Sequence, residues 1–562
     1  MNDDAQAMLS DETMQPLPAP ELSSVELQGE TDPQIDAPPP WYDRPRSIPF
    51  KMASRLSRWT RGRVKSPAYH SSLQFHREHD AKHLEKYRIS PDEHVQTWCL
   101  WTLEFFTPDN IAMLRCALER LKPAGLEYDE SGPADWLKQE RGRQGSSMEL
   151  YLVPKGGLAW GPGHYCALPS FAKAARGTIA NITPSLTTLT MSFRLKETER
   201  DWLDDELHRD HPSRIFQRPN GVVSISNVWS QQRAITKERR QKWKHEATEW
   251  HRKHFPGLLS ANGEAVSCCL LDVIDGAEPF FSETSNLLGA LDLARSTAIY
   301  EYRTKDGQVL ATMSRSTNTD GADDLHLVSM TSNQLQSYEA ADYGSDNSGR
   351  ISRFDSMFRR GFTSIALHRV LDFYNRKVVL ARDNAAAIVG SRSATKALAR
   401  VRTDTAQCID AAVIARELRH AAKTGWIPSD LLPFSYKPFF PIEKARPLAK
   451  SIHERIARQS SELLADVEAL NESLSVQADL LSAHANLKLQ PWIIGLAVVS
   501  MVAGVLAAIG PVHDLLQPRA PAALLQPASP KSVDQNRPNS GHSAARTGAS
   551  IPVARSPLPH DT

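Results

Sequence analysis

The sequence predicts an α+β protein: a mixed α/β cytosolic domain, then a long-helix, coiled-coil-like stalk, then one C-terminal transmembrane helix, with disordered termini. Three observations predict it. Short alternating or apolar runs interleaved with helix-start signals fill residues 81–332. Apolar residues at three- and four-residue steps take over after residue 353. The run Trp492–Gly510 has no charge, no Asn or Gln and no interior proline, the composition of a span.

The first 80 residues read as a disordered arm. Met1 to Asp43 holds ten acidic residues and no Lys or Arg, whereas Arg44 to Phe75 holds eight basic residues and no acid. Such a polar, proline-rich arm buries too little apolar surface to fold alone, and its acidic part is a candidate recruiter of a protein partner. Arg55, Arg58, Trp59, Arg61 and Arg63 form a basic stretch with aromatic and aliphatic neighbours. It reads as a solvated linker first, and as a membrane-surface contact in the functional alternative. A formal net charge of +1 gives no general reason to expect nucleic acid as the partner.

Residues 81–332 read as the mixed α/β domain. "HVQTWCLWTLEFF" is a strand, and "TPDNIAMLRCALERLK" a helix with Thr107 as N-cap and Pro108 at its first position. "SMELYLVP" is a second strand. "LTTLTMSFRL" puts Leu189, Met191, Phe193 and Leu195 on one face, as a half-buried strand should, and runs into the charged helix "KETERDWLDDELHRD". "AVSCCLLDVI" is a buried strand, and "TAIYEYRTKDGQVLATMS" a hairpin turning at Asp306-Gly307. A ferredoxin-like or another α+β arrangement suits this order.

A polar loop, 333–352, precedes the helical region 353–425. There Leu367, Val370, Tyr374, Val378, Ala381, Ala385 and Ile388 mark one helix, ended by Gly390, and Leu398, Val401, Cys408, Ala412 and Ala415 mark another. The stalk, 441–490, carries Ile452, Ile456, Leu463, Val467, Leu470, Leu474 and Leu481 on a heptad-like stripe that would drive homo-oligomerisation. The span, 491–511, is edged by Trp492 and stopped by Pro511; Gly495, Gly504, Ala508 and Gly510 give it small residues for close helix approach. The tail, 512–562, is Pro/Ser-rich and reads as disordered. With no signal-peptide pattern at the N-terminus, the expected placement is the cell membrane, single-pass, with the large N-terminal region cytoplasmic.

The chemistry-bearing motifs are sparse. The six cysteines form no CxxC, which suits buried thiols and not a zinc site or disulfide framework. "WKHEATEWHRKH" has Glu249 where a zincin needs its second histidine after His245. "SRSTNTDGADD" lacks the acid at the twelfth position of a calcium loop, since Leu327 stands there. "VPKGGLAWGPGHYC" matches neither phosphate-loop pattern, and no GxSxG occurs. Asp204, His208 and His211 in "DDELHRDH" are weak metal candidates. No cofactor and no catalytic residue is assigned. The layout, a cytosolic α/β domain with long helices leading into a span, resembles the CorA-type ion channels. The Gly-Met-Asn signature and second span of that family are missing, so transport is not implied. The leading expectation is a membrane-anchored sensor or scaffold module that self-associates through its stalk; the alternatives are a membrane-tethered enzyme with its site in the α/β domain and an oligomeric pore or effector.

Overall fold

A computed structural model describes residue 55 and residues 65–516 apart from 125–131, 157–162, 219–221, 280–284, 294–298, 304–307, 316–324, 339–345, 389–393, 426–433 and 438–445. The chain divides into two units, Met1–His484 and Ala485–Thr562.

The described strands are β1 (His94–Phe106), β2 (Lys122–Pro123), β3 (Ser147–Val153), β4 (His164–Tyr165), β5 (Ala172–Thr183), β6 (Leu186–Leu195), β7 (Arg214–Gln217), β8 (Val223–Ser226), β9 (Ser267–Asp275), β10 (Ile299–Arg303), β11 (Val309–Arg315), β12 (Leu325–Thr331), β13 (Phe434–Lys437) and β14 (Arg446–Pro447). The helices are α1 (Pro67–Tyr87), α2 (Ile111–Glu119), α3 (Pro133–Glu140), α4 (Glu197–Leu207), α5 (Val228–His254), α6 (Asn286–Ala290), α7 (Ser332–Ser337), α8 (Asn347–Ala366), α9 (His368–Ile388), α10 (Ala394–Thr424) and α11 (Leu448–Leu516).

Twelve strands form one mixed sheet in the order β14-β13-β10-β11-β12-β9-β1-β6-β5-β3-β4-β2, and β7 pairs β8 apart from it. β1 and β6 run antiparallel, with Trp101 opposite Ser192. β9 is the hinge of the order: it pairs β1 antiparallel and β12 parallel. The sequence reading placed β1 and β6 at these residues, β1 from a long apolar and aromatic run and β6 from the alternation of Leu189, Met191, Phe193 and Leu195. It did not foresee a sheet of this width.

Both faces of the centre are covered. Leu100, Phe106, Leu189, Met191, Phe193 and Leu270 pack with Trp243, Ala247 and Trp250 of α5 in one apolar cluster. Trp101, Leu103, Cys269 and Leu271 pack with Phe354, Phe358 and Phe362 of α8 in the other, which continues into α9, α10 and the first part of α11. β6 is therefore buried along both faces and not half-buried, and its Thr188, Thr190 and Ser192 lie under α8.

Three expectations change here. α2 starts at Ile111, a turn later than Thr107 and Pro108 suggested, because Asn110 Oδ1 accepts from Thr107 N at 2.6 Å and closes a turn first. The stalk stripe is internal: Ile456, Leu463, Val467, Leu470 and Leu474 are buried in the chain's own core, so a coiled coil between copies finds no support in it. Among the described residues no helix is long and apolar enough to cross a membrane. This overturns the single-pass transmembrane assignment and the cell-membrane localisation that rested on it.

Several expectations fall outside the described residues: the arm up to residue 64 apart from Arg55, the tail beyond residue 516, Arg58, Trp59, Arg61 and Arg63, the Asp306-Gly307 turn, the 316–324 loop, Gly390, and the side chains of Ala508 and Gly510. The last part of the arm, expected to be disordered, is instead helix α1 from Pro67 on, held by buried Asp80, which accepts from the backbone N–H of Ser213 at 2.6 Å. Arg55 is described, and exposed.

Candidate functional site

A cavity of about 190 Å³ opens where the sheet meets the helical layer. β10 supplies Tyr300, β11 supplies Met313 and Ser314, and β12 supplies His326. The end of α8 gives Ser364 and Ile365, the start of α9 gives His368, and the first two turns of α11 give Leu448, Ser451, Ile452, Arg455 and Ile456.

Local sequence explains the convergence. α8 ends at Ala366 and α9 begins at His368, with Leu367 between them in helical conformation. At this joint His368 Nδ1 lies 2.8 Å from the carbonyl of Ile365, which fixes the buried ring. α11 starts directly after β14, so its first turns are carried by the sheet edge. Met313, Leu448 and Ile456 are buried beside the cavity.

Ser314 is 2% exposed and its Oγ has no hydrogen-bond partner. Burial raises the phenol of Tyr300, and the guanidinium of Arg455 pulls it back down. Two imidazoles, a phenol, three hydroxyls and one guanidinium line the cavity, and among the described residues no carboxylate does. The hydroxyls and imidazoles can donate or accept hydrogen bonds, and the guanidinium carries a positive charge. An apolar wall with a few convergent donors is the common composition of a small-molecule site.

The metal candidates are rearranged. Asp204 lies in the last turn of α4 and His208 caps it, whereas His211 turns away, with Nε2 2.7 Å from the carbonyl of Glu206. His94, the first residue of β1, takes the vacated place: its Nδ1 lies 2.9 Å from Asp204 Oδ2. This hydrogen bond raises the ring above its usual range. His94 and Asp204 are 110 residues apart, so helical spacing could not have joined them.

Other reactive groups are committed elsewhere. Cys166 Sγ approaches His254 Nδ1 at 3.7 Å, but burial pushes the thiol up to about 11, which keeps it protonated and poorly nucleophilic. His164, its sequence neighbour, is buried on β4. Glu104 accepts from the backbone N–H groups of Phe105, Leu259 and Ser260 and so ties β1 to the loop after α5. The cavity itself was not foreseen. Its lining comes from six separate elements, and only His326 and His368 offered a local signal. No protein-family model matches the chain, and no curated protein is similar to it.

Proposed function

We propose that the chain is a ligand-binding sensor module whose cavity takes a small anion, a carboxylate or a phosphate monoester with a short apolar part. One observation carries this reading: among the described residues the cavity is lined by a cation and groups able to donate hydrogen bonds, with apolar residues between them and no carboxylate. Arg455, exposed at the start of α11, is the group that would hold the charge. Tyr300, Ser314 and His326 would orient the rest. The buried hydroxyl of Ser314, lacking a partner, supports this use, since such a group costs about 1–3 kcal/mol when left unsatisfied.

A sensor needs occupancy to be felt elsewhere. The cavity touches the α8–α9 joint and the start of α11 together, and an anion bound better by one arrangement of these elements would shift the population toward it. Self-association through the stalk would require Leu463 and Leu470 to leave the core, so assembly is not placed on that stripe.

The test is calorimetry and thermal unfolding of the full chain with inorganic phosphate, hexanoate and hexyl phosphate. Binding by one of them, weakened at least tenfold in Arg455→Ala, is expected. Equal binding in the variant, or no heat and no shift with any of the three, overturns the reading.

A further inference from the structure

The second cluster of chemistry lies at the start of β1, on elements other than those that line the cavity. His94, Asp204 and His208 each offer a ligand atom, and the three atoms lie within 4.8 Å of one another. We propose that these residues bind a divalent transition-metal ion, zinc being the class best matched, through two imidazole nitrogens and one carboxylate oxygen.

The ligands are held on regular structure. His94 opens β1, and Asp204 and His208 occupy the last turn and cap of α4. Asp204 Oδ1 accepts from the backbone N–H of Val95 at 2.7 Å, which fixes the carboxylate plane and leaves Oδ2 toward His94 Nδ1.

His208 supplies the sharper argument. Its Nδ1 lies 2.9 Å from the carbonyl of Asp204 and 3.7 Å from Asp204 Oδ1, and its Nε2 lies 3.4 Å from the carbonyl of Ser90. A neutral imidazole has one proton for these two sides. With that proton on Nδ1 the ring donates to the Asp204 carbonyl; metal binding would move it to Nε2, toward Ser90, and leave the Nδ1 lone pair beside Asp204 Oδ1 for a shared cation. The two rings stack with centroids 5.2 Å apart and planes at 30°, so both edges address the same carboxylate.

The donor set selects the ion. Two imidazoles and one carboxylate suit zinc, nickel or cobalt better than magnesium or calcium, which prefer all-oxygen shells. The side chains of His94, Asp204 and His208 are 49%, 18% and 24% exposed, so further positions are open to water. Three protein ligands plus water is the pattern of an open zinc site.

The experiment uses the full chain, stripped with chelator and titrated with Co²⁺, then with Zn²⁺ in competition. One equivalent of Co²⁺ with a visible ligand-field band, displaced by Zn²⁺, is expected. His94→Gln and His208→Ala, on separate elements, should each weaken binding about 10–100-fold, with circular dichroism checking that each variant is folded. His211→Ala should leave binding unchanged. So should the double variant His79→Ala/His83→Ala, which removes the ring pair on α1 whose centroids are 4.6 Å apart. No band at micromolar metal, unchanged binding in folded His94→Gln, or loss only in the α1 variant overturns the assignment.

Discussion

The two faces of the central strands are built from different chemistry although both are buried. Toward α5 the strands present Leu100, Leu189, Met191, Phe193 and Leu270, and α5 answers with Trp243, Ala247 and Trp250. Toward α8 they present Trp101 among hydroxyls, Thr188, Thr190 and Ser192. α8 answers with two adjacent stripes at four-residue steps. Phe354, Phe358 and Phe362 stack, with successive centroids 5.7 and 6.2 Å apart. Asp355, Arg359 and Thr363 supply polar partners: Trp101 Nε1 donates to Asp355 at 2.6 Å, Arg359 pairs Glu149 at 2.7 Å, and Thr190 meets Thr363 at 2.8 Å. An alternating strand thus specifies which residues share a face. It does not specify that the polar face is wet, because a helix with matching donors and acceptors covers it as completely as an apolar one.

The comparison can be broken first on the apolar face. Trp243 is fully buried on α5, and Trp243→Ala should cost about 3–5 kcal/mol through lost contacts and a cavity. Chemical denaturation checks it, and a loss under 1 kcal/mol would mean that α5 does not seal this face. The same face holds one buried pair: Asp272 Oδ2 accepts from Arg240 at 2.7 Å, and Oδ1 from Thr97 at 2.6 Å. Arg240→Met should destabilise by ~3–5 kcal/mol because Asp272 keeps its buried charge without a cation. The double variant Arg240→Met/Asp272→Leu should recover much of that loss, which denaturation of both variants reads.

On the polar face the effects are smaller. Asp355→Ala removes the acceptor of Trp101 and should cost about 1–3 kcal/mol. Thr190→Val leaves only Thr363 to be satisfied and should cost ~1 kcal/mol or less. Equal losses at Trp243 and Thr190 would erase the distinction between the faces.

A pH experiment sharpens it. His251 of α5 is fully buried, with Nε2 2.8 Å from Thr102 Oγ1, and desolvation, with a smaller effect of His254, lowers the ring to about 3. The unfolded ring takes up a proton near 6.5 and the folded ring does not. Its contribution to stability is therefore complete above pH 6.5 and declines as pH falls from 6.5 toward 3, with a slope of up to about 1.4 kcal/mol per pH unit. His251→Asn should flatten that acid limb in denaturation curves taken between pH 7 and 4; an unchanged limb would place the acid sensitivity in another group.

How much was legible differs between elements. β1 and β6 were readable to the residue because β1 is a long apolar and aromatic run, β6 alternates over Leu189–Leu195, and each is followed by a helix-start signal. α8 lies largely within the expected helical region 353–425, but its two facing stripes in "FDSMFRRGFT", an aromatic-polar pair every four residues, were not read; the charged residues between obscured the apolar period. The stalk stripe was seen, but its partner was taken to be another copy, since heptad spacing is the same whether the opposing helix belongs to the same chain or not. Of the metal candidates, Asp204 and His208 were visible at helical spacing, and His211 was an error of the same spacing, since the chain leaves the helix after Leu207.

The sequence by itself determined the identity of β1, β6 and β9 and the buried state of the cysteines other than the intermediate Cys116, because these follow from local pattern and side-chain chemistry. Only the tertiary structure decided that the hydroxyl face of β6 is covered, that His94 meets Asp204, and that six elements enclose one cavity. Each of these joins residues far apart along the chain, and no local pattern encodes which distant surface will be the neighbour.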